Sequence, residues 1–305
     1  MKVKFWGVRG SIPCPGPLTV KYGGNTLCVE LYFKELKRRI IIDAGTGIRE
    51  LGNDLMRNGF PANLHRTEIF LTHTHWDHIQ GFPFFTPIYF PDTKLRVYGP
   101  VTYEDDSLES ILGGQWVYRY FPVRQVQLAA AIEYVDLKES SYDLGDGIQL
   151  TTRYLNHPLL CLGYRFEYAG KVFCTAYDTE PYRNVFSTDP EDPAFDASMA
   201  QEAEQVVNEE NQRLESFFSN ADLLIHDTQY TQAEYETSRL GWGHSSYEHA
   251  VAAASRSKVK RLALFHHEPG RTDAELDGLA ETYCRPDQAG NTDIFFSREG
   301  MEIEL

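Results

Sequence analysis

The stretch from residue 73 to residue 78 reads His73-Thr74-His75-Trp76-Asp77-His78 and directly follows the apolar run Ile69-Phe70-Leu71. Four of its six positions carry side chains that bind metal ions. A strand that ends in a tight loop can direct these groups towards one centre, whereas hydrogen bonds alone are a costly way to satisfy buried imidazoles and a carboxylate. The stretch therefore predicts a metal site.

Three further candidate ligands lie far downstream, each at the end of an apolar run that is typical of a strand. They are His157, Asp178 and His266. A single histidine after a strand is more often hydrogen-bonded than metal-bound. Three such positions, taken together with the cluster at 73–78, favour one shared site.

Length and composition are those of a globular chain. The chain has 305 residues, of which 42% are hydrophobic and 24% charged, and it lacks the run of about 18 apolar residues that spans a bilayer. The alternating segment Met1 to Gly7 lacks the features of a signal peptide, so a cytoplasmic protein without membrane contact is expected. The five cysteines form no C-x-x-C pair, which disfavours a disulfide framework and a thiolate zinc site.

The chain is strongly acidic, with a net charge of −15. Phosphate contacts draw on Lys and Arg, so binding to bulk nucleic acid is not expected, whereas a small phosphate ligand is still compatible. Ions bound at an acidic metal site would also reverse the sign of the charge that a substrate meets there.

Hydrophobic periodicity and turn signals predict a chain of alternating strands and helices. Strands are predicted at Val3 to Trp6, Thr26 to Phe33, Arg39 to Ile42, Glu68 to Leu71, Lys94 to Tyr98, Ile132 to Val135, Ile148 to Tyr154, Gly163 to Tyr168 and Lys171 to Cys174. Helices are predicted at Ile48 to Arg57, Ala200 to Phe218 and Tyr247 to Ser255. We expect one domain over residues 1–305, with an insertion or lid around 181–219. The aromatic stretch 113–122 is either a packed surface loop or a pocket wall.

The order of these residues resembles the metallo-β-lactamase superfamily, whose signature is His-x-His-x-Asp-His followed by a distant His, Asp and His. The resemblance includes Asp43 in an Asp-Ala-Gly-Thr-Gly turn and implies an α/β (α+β) fold, a four-layer αββα sandwich with a dinuclear site at one edge. It implies three ligands for one metal ion: His73, His75 and His157. It implies three for the other: Asp77, His78 and His266. Asp178 would bridge the two ions, and Asp43 would support the loop without binding metal.

Imidazole and carboxylate ligands without thiolate suit two zinc ions and also tolerate manganese or iron. Two neighbouring ions can activate a bridging water and stabilise a displacement at phosphorus. The sequence therefore predicts a dinuclear hydrolase, although this fold hosts several unrelated activities.

Two segments resemble the phosphodiesterase branch of the superfamily, which includes the tRNA 3′-processing endonuclease. They are the run from His157 to Phe166 and the motif Gly243-His244-Ser245-Ser246. In that branch the histidine assists at the scissile phosphate or protonates the leaving oxygen, a role that would fall to His244. The alternative is that His244 only begins a helix. His267 is an alternative metal ligand, and for His226 a structural hydrogen bond is the expected role.

The sequence differs from that of the tRNA-processing enzyme in one feature: it shows no basic, glycine-rich arm that could bind tRNA. Its N-terminal stretch instead resembles bacterial members related to cyclic-phosphodiester hydrolases, with Arg9, Ser11 and Asn25 as candidate contacts to a substrate phosphate.

We therefore predict a dinuclear metal-dependent phosphodiesterase that cleaves a small or cyclic phosphodiester by a metal-bridging hydroxide. Asp77 would orient the nucleophile or accept its proton, and His244 would assist the leaving group. One alternative is an ester, lactone or thioester hydrolase on the same site. Another is a metal-bearing sensor or interaction protein without turnover. A homodimer is permitted but not required.

Overall fold

Two seven-stranded β-sheets pack face to face, and helices cover the outer face of each. The computed structural model describes residues 1–59, 67–100, 106–285 and 290–305. Its strands are β1 (Lys2–Gly7), β2 (Cys28–Phe33), β3 (Arg38–Ile42), β4 (Thr67–Phe70), β5 (Lys94–Pro100), β6 (Ala131–Leu137), β7 (Ser141–Asp143), β8 (Gln149–Leu155), β9 (Cys161–Tyr168), β10 (Lys171–Ala176), β11 (Leu223–Asp227), β12 (Arg261–Phe265), β13 (Asp293–Phe296) and β14 (Glu302–Glu304). Its helices are α1 (Gly47–Arg57), α2 (Trp76–Ile79), α3 (Leu108–Gly113), α4 (Ala197–Phe218), α5 (Gln232–Ser238), α6 (Tyr247–Arg256) and α7 (Asp273–Tyr283).

Strand numbers rise across the first sheet from β1 to β6 and fall across the second from β13 to β7. The first runs β14-β1-β2-β3-β4-β5-β6 and the second β13-β12-β11-β10-β9-β8-β7. In the first sheet β3 to β6 are parallel, and in the second β10 to β13 are parallel. Loops that follow parallel strands meet at one edge of a sheet, which is where α/β proteins place their ligands.

Apolar side chains fill three layers, as the alternation along the strands requires. Residues such as Phe5, Phe70 and Phe265 form the core between the sheets. A second apolar layer lies between the second sheet and helices α4, α6 and α7, and a third lies between the first sheet and helices α1 and α3. This is the αββα sandwich predicted from the sequence.

The segment after β10 contains an extended stretch and then the long helix α4. The C-terminal end of α4 packs on the second sheet through Leu214, Phe217 and Phe218. The guanidinium of Arg165 on β9 holds this end by donating to the carbonyl oxygens of Phe217 and Ser219, each at 3.0 Å. The N-terminal half of α4 is largely exposed. An insertion or lid around 181–219 thus remains a prediction about its role.

The aromatic stretch 113–122 forms a surface loop that is fixed by two of its rings. Trp116 is buried against Phe82, with ring centroids 5.5 Å apart, and Phe121 packs on Phe84 at the same separation. Phe121 lines a surface cleft that contains none of the candidate ligands. Within the described part of the chain, no helix has the length and apolarity needed to cross a membrane.

Candidate metal centre and active site

The residues predicted as metal ligands all lie in segments that follow strands at one edge of the sandwich, and two of them, Asp77 and His78, lie in the short helix α2. The 73–78 loop follows β4 in the first sheet. His157, Asp178 and His266 follow β8, β10 and β12 in the second sheet. The fold therefore brings together groups that are up to 193 positions apart in the sequence, from His73 to His266.

The first group of ligand atoms contains three imidazole nitrogens and one carboxylate oxygen. Nδ1 of His75 lies 2.9 Å from Nε2 of His73 and 3.1 Å from Nε2 of His157. Oδ2 of Asp178 lies 3.5 Å from Nε2 of His73. These four residues form one of the clusters able to hold a metal ion.

The second group lies on the other side of the same carboxylate. Oδ1 of Asp178 lies 3.3 Å from Nε2 of His78 and 3.3 Å from Nε2 of His266. Oδ2 of Asp77 lies 3.5 Å and 3.3 Å from the same two nitrogens. Asp178 thus presents one oxygen to each group, which is the arrangement needed to bridge two ions.

The second group fits a metal ion better than it fits hydrogen bonding. Nε2 of His78, Nε2 of His266 and Oδ1 of Asp178 are buried and have no hydrogen-bond partner among the described residues. A tetrahedral ion with bonds of about 2.0–2.1 Å has ligand atoms about 3.3 Å apart, close to the separations in both groups. The nitrogen and oxygen donors suit zinc and also tolerate manganese or iron.

Neighbouring groups orient the imidazoles so that the converging nitrogen is free to bind. Nδ1 of His78 lies 2.7 Å from Oδ2 of Asp43, and Nδ1 of His157 donates to the carbonyl oxygen of Gly243 at 3.0 Å. Asp43 is itself fixed by the backbone and hydroxyl of Thr72, at 2.7 and 2.8 Å. Such outer contacts set the tautomer of a metal-binding histidine. Asp43 lies where the resemblance implies a supporting residue.

Burial and the carboxylates act on these histidines in opposite directions. Burial lowers the pKa of His73 well below its usual value. Burial also lowers that of His266, but Asp178 and Asp77 outweigh it and raise its pKa to about 9. For Asp77, burial is outweighed by His78 and His266, so its pKa is lowered and the carboxyl stays ionised. The site thus concentrates negative charge where cations would bind.

Three residues of the site have left-handed backbone conformations that non-glycine residues rarely adopt. The φ angles are 61° for Asp43, 24° for Asp178 and 62° for His266. Such conformations cost about 1–3 kcal/mol each and persist where the surrounding structure imposes them. Gly10 contributes to this close packing, because a β-carbon there would lie 2.3 Å from the ring of His266.

His244 lies beside both ligand groups, three residues before the start of α6. Its ring stacks on that of His266 with a centroid separation of 4.7 Å and lies 5.6 Å from that of His157. Its Nδ1 lies 3.0 Å from Oδ2 of Asp227, which also accepts hydrogen bonds from backbone amides of Thr179 and Ser245. The motif prediction thus placed His244 in the site but missed Asp227.

The strand pattern could have identified Asp227. In the sequence Leu223-Leu224-Ile225-His226-Asp227, alternate residues face opposite sides of β11. His226 packs on the helix side against Phe218 and His249, and its Nδ1 donates to the carbonyl oxygen of Asp227. The carboxylate of Asp227 therefore lies on the other side, towards the site. For His226 the structural hydrogen bond was the correct expectation.

His267 points away from the ligand groups. Its Nε2 donates to the carbonyl oxygen of Ser297 at 2.8 Å, and its ring stacks on Phe296. Tyr22 packs on it edge-to-face, with centroids 5.8 Å apart. His267 is therefore a packed neighbour of His266 and not an alternative ligand in this arrangement.

Two of the three candidate phosphate contacts are used elsewhere in the structure. Arg9 is fully buried and donates to the carbonyl oxygens of Gly23, Glu268 and Arg271 at 2.9–3.3 Å.

The side chain and backbone amide of Asn25 both donate to Glu299. Only Ser11 adjoins the site, where its backbone amide donates to Oδ2 of Asp77 at 2.7 Å. Glycine-rich turns at the N-terminus thus position the ligand loop instead of reaching for phosphate.

Comparison with known proteins agrees with this arrangement. The family described as "Beta-lactamase superfamily domain" matches residues 38–200. Ribonuclease Z of Lactococcus lactis subsp. cremoris is 27% identical over 267 residues, which are 78% of this chain and 81% of that protein. Ribonuclease Z of Thermoplasma acidophilum is 26% identical over 331 aligned positions that cover 100% of this chain and 96% of that protein.

A solved structure has the same fold over the whole chain. The metallo-β-lactamase fold protein YhfI from Bacillus subtilis superposes with a TM-score of 0.63 at 16% identity and covers 100% of this chain and 99% of its own. The matching family spans more than half of the chain, and the two relatives carry one name. The chain therefore belongs to the metallo-β-lactamase superfamily, in the branch that contains its ribonuclease Z relatives.

Proposed function

We propose that this protein is a metal-dependent phosphodiesterase. The observation that carries the proposal is the position of His244, whose ring stacks on His266 and lies beside His157, so that it adjoins both ligand groups. The names of the ribonuclease Z relatives support the same reaction class. An imidazole held beside two cation-binding groups is placed to donate a proton to an alkoxide that departs from phosphorus.

The residues that would hold the ions are those of the two groups around Asp178. His73, His75 and His157 would bind the first ion, and three residues would bind the second: Asp77, His78 and His266. When bound, two divalent ions supply positive charge that acidifies a water molecule and stabilises the phosphoryl oxygens.

Asp227 and His244 form a pair suited to proton donation. Oδ2 of Asp227 lies at hydrogen-bond distance from Nδ1 of His244, so Nε2 is the nitrogen available to a leaving oxygen. Nε2 has no hydrogen-bond partner within the described part of the chain. The carboxylate also fixes the orientation of the imidazole through Nδ1, as a positioned general acid requires.

Asp77 is better suited to orienting the nucleophile than to accepting its proton. Its Oδ2 accepts the backbone amide of Ser11, and the low pKa of its carboxyl keeps it ionised. An ionised carboxylate can accept a hydrogen bond from a nucleophile and fix its direction towards phosphorus. Of the two roles predicted for Asp77, orientation is therefore the one we propose.

Two substrates of different size share this chemistry. The names of the relatives make an RNA phosphodiester a candidate, and the net charge of −15 supports the small or cyclic phosphodiester predicted from the sequence. Assays of the zinc- and manganese-loaded protein on cyclic nucleotides, a dinucleotide and a 3′-extended RNA would separate the two. Hydrolysis of carboxylic esters or thioesters without activity on any phosphodiester would overturn the proposal.

A leaving-group comparison tests the role of His244. A dinucleotide releases a sugar alkoxide that needs a proton, whereas a p-nitrophenyl phosphodiester releases a stable phenolate that does not. We expect His244→Ala to lower turnover of the dinucleotide by roughly 10²–10⁴-fold and that of the p-nitrophenyl ester much less. Equal losses on both substrates, with metal content intact, would remove His244 from the proton-transfer step.

A further inference from the structure

Two exposed tryptophans flank the ligand groups. Trp76 lies between His75 and Asp77 and is 79% exposed, and Trp242 lies two residues before His244 and is 55% exposed. The chain has four tryptophans. The other two are held by the fold: Trp116 is buried, and the indole nitrogen of Trp6 donates to Glu30. Tryptophan is enriched at binding interfaces, because its ring is apolar while its N–H can stay in contact with water.

Both tryptophans lie next to a residue that contacts His157. Trp242 precedes Gly243, whose carbonyl oxygen accepts the hydrogen bond from Nδ1 of His157. Trp76 follows His75, whose ring centroid lies 5.0 Å from that of His157. Both tryptophans therefore lie on segments of the chain that border the first ligand group.

The loop that carries Trp242 is firmly anchored. The backbone amide of Gly241 donates to Oε2 of Glu180 at 3.0 Å, and that of Trp242 donates to the carbonyl oxygen of Arg239 at 3.2 Å. Glu180 also accepts a hydrogen bond from Tyr235 at 2.9 Å. The indole is thus presented to solvent by a fixed backbone, so its exposure does not follow from a loose loop.

Two arginines beside this loop make no ion pair with the described part of the chain. The guanidinium of Arg239 lies 4.5 Å from the ring centroid of Trp242 and 5.6 Å from that of Tyr230. Arg183 approaches the same turn, 3.9 Å from the position of a β-carbon on Gly241. Neither has a carboxylate within ion-pair distance among the described residues, although the chain contains 44 acidic residues. Unpaired guanidinium groups in so acidic a protein favour an anionic partner.

We propose that Trp76, Trp242, Arg239 and Arg183 form a nucleotide-binding rim, which binds the nucleotide next to the scissile phosphate. The indoles would stack on the base, and the guanidinium groups would bind a neighbouring phosphate. This inference rests on the proposed phosphodiesterase function and adds the class of substrate. Because every base has an aromatic face, the rim favours nucleotides over simple diesters without selecting one base.

Two p-nitrophenyl diesters with the same leaving group test whether the rim binds a nucleoside. Thymidine 5′-(p-nitrophenyl phosphate) and methyl p-nitrophenyl phosphate share the scissile bond and the leaving group, and only the first has a nucleoside. We expect the wild-type protein to have a higher kcat/KM for the thymidine ester, by about tenfold or more. Trp242→Ala and Arg239→Ala should each reduce this ratio about tenfold, mainly through KM.

The chain offers a matched control at the opposite end of strand β2. Tyr32 there has Arg39 stacked over its ring at 5.0 Å, as Arg239 is stacked over Trp242. Tyr32→Ala removes an aromatic ring from such a pair far from the ligands and should leave the ratio unchanged. Trp242→Phe retains an aromatic face and should restore most of the ratio, which a loss caused by misfolding would not show.

The outcomes separate this inference from the proposed function. If neither ester is hydrolysed by the metal-loaded protein, the phosphodiesterase proposal fails. If both are hydrolysed and the ratio is the same in wild type, Trp242→Ala and Arg239→Ala, the rim is wrong and the phosphodiesterase proposal stands. Assays with a dinucleotide and with a short single-stranded RNA in place of the thymidine ester show which of these nucleotide substrates the rim binds. A loss in Trp242→Ala on any of these supports the rim.

Discussion

At the scale of single residues, Asp227 has the clearest untested role. It lies 3.0 Å from Nδ1 of His244 and also 3.9 Å, through its other oxygen, from Nδ1 of His266. An amide at this position would keep the shape but lose the negative charge beside Nδ1 of His244. We expect Asp227→Asn to lower kcat for a dinucleotide by roughly 10²–10⁴-fold, as loss of a general acid does.

The p-nitrophenyl ester and a metal analysis complete the Asp227→Asn experiment. If Asp227 acts through His244, the variant keeps both metal ions and most of its activity on the p-nitrophenyl ester. If the variant instead loses metal and both activities together, Asp227 acts mainly by orienting His266, and its assignment to His244 is contradicted.

A second prediction at this scale concerns the glycine that packs on His157. Gly243 has a φ of 81°, and a β-carbon there would lie 2.2 Å from Nδ1 of His157. Gly241 is a matched control because its φ is 80° but its β-carbon would meet only Arg183, at 3.9 Å. Both alanine variants should be destabilised by about 1 kcal/mol or more, since alanine resists this conformation.

Only Gly243→Ala should displace the imidazole of His157. We expect it to bind the first metal ion at least about tenfold more weakly, the effect typical of disturbed support around a metal ligand, while Gly241→Ala binds both ions as wild type does. Isothermal titration of the metal-free variants with zinc measures the difference. Equal affinities in the two variants would show that the ring of His157 adapts to the added methyl group.

The candidate ligands could be identified from the sequence, because residue type and spacing indicate metal binding. Asp227 could not be identified in this way, and the role of Arg9 could not be assigned. An aspartate after a histidine on a strand becomes informative only when the buried side of that strand is known. A buried arginine that donates to backbone carbonyls is indistinguishable, in sequence, from one that binds a substrate phosphate.

At the scale of secondary structure, the predicted strands and helices are all present, with ends that differ by at most three residues. They carry continuous apolar runs or periodic apolar positions, which make such elements readable from sequence. The elements that were not predicted are short or lie at edges, such as β13 and β14. Helix α7 was missed although Thr272 and Glu275 form a capping box at its start.

Helix α6 contains a half-buried histidine that makes stability depend on pH. Burial lowers the pKa of His249 to about 3, with smaller contributions from His226 and Arg256. The unfolded pKa is about 6.5, so the unfolded state binds more protons between these values and stability falls as the pH falls through this window. Between pH 7 and pH 5, this histidine alone should cost about 2 kcal/mol.

Urea unfolding of His249→Gln at the two pH values measures this contribution. The variant lacks the titrating ring, so its loss of stability between pH 7 and pH 5 should be about 2 kcal/mol smaller than that of wild type. Glu180, Glu215 and His226 line the same small cavity and are present in both proteins, so the comparison isolates the ring of His249. An identical pH dependence in the two proteins would mean that His249 is protonated without unfolding.

At the scale of the whole molecule, the candidate centre joins the two sheets. The 73–78 loop belongs to the first sheet, and His157, Asp178 and His266 belong to the second. Between the sheets lies an apolar core whose contacts are not directional, so it does not by itself fix the sheet edges at ångström precision. Ions held by both sheets would add that constraint, and they would also offset part of the net charge of −15.

Metal binding should therefore stabilise the whole fold and not only the loops at its edge. A ligand that binds only the folded state adds RT ln(1 + [L]/Kd), which is about 2.7 kcal/mol when the free ion is present at 100 times its Kd. Removal of metal by a chelator should lower Tm by several degrees, and zinc should restore it.

His73→Ala gives the matched comparison, because it removes one ligand of the first group and leaves the second group complete. Its Tm should respond to zinc less than that of wild type, with fewer ions bound per chain by elemental analysis. Asp178 presents one oxygen to each ligand group, so Asp178→Asn should weaken metal binding by both groups. We therefore expect this variant to lose most of the rise in Tm that zinc produces in wild type. If Tm is unchanged by complete metal removal, the folded state gains no stability from metal ions at this centre, and the two ligand groups do not hold ions as proposed.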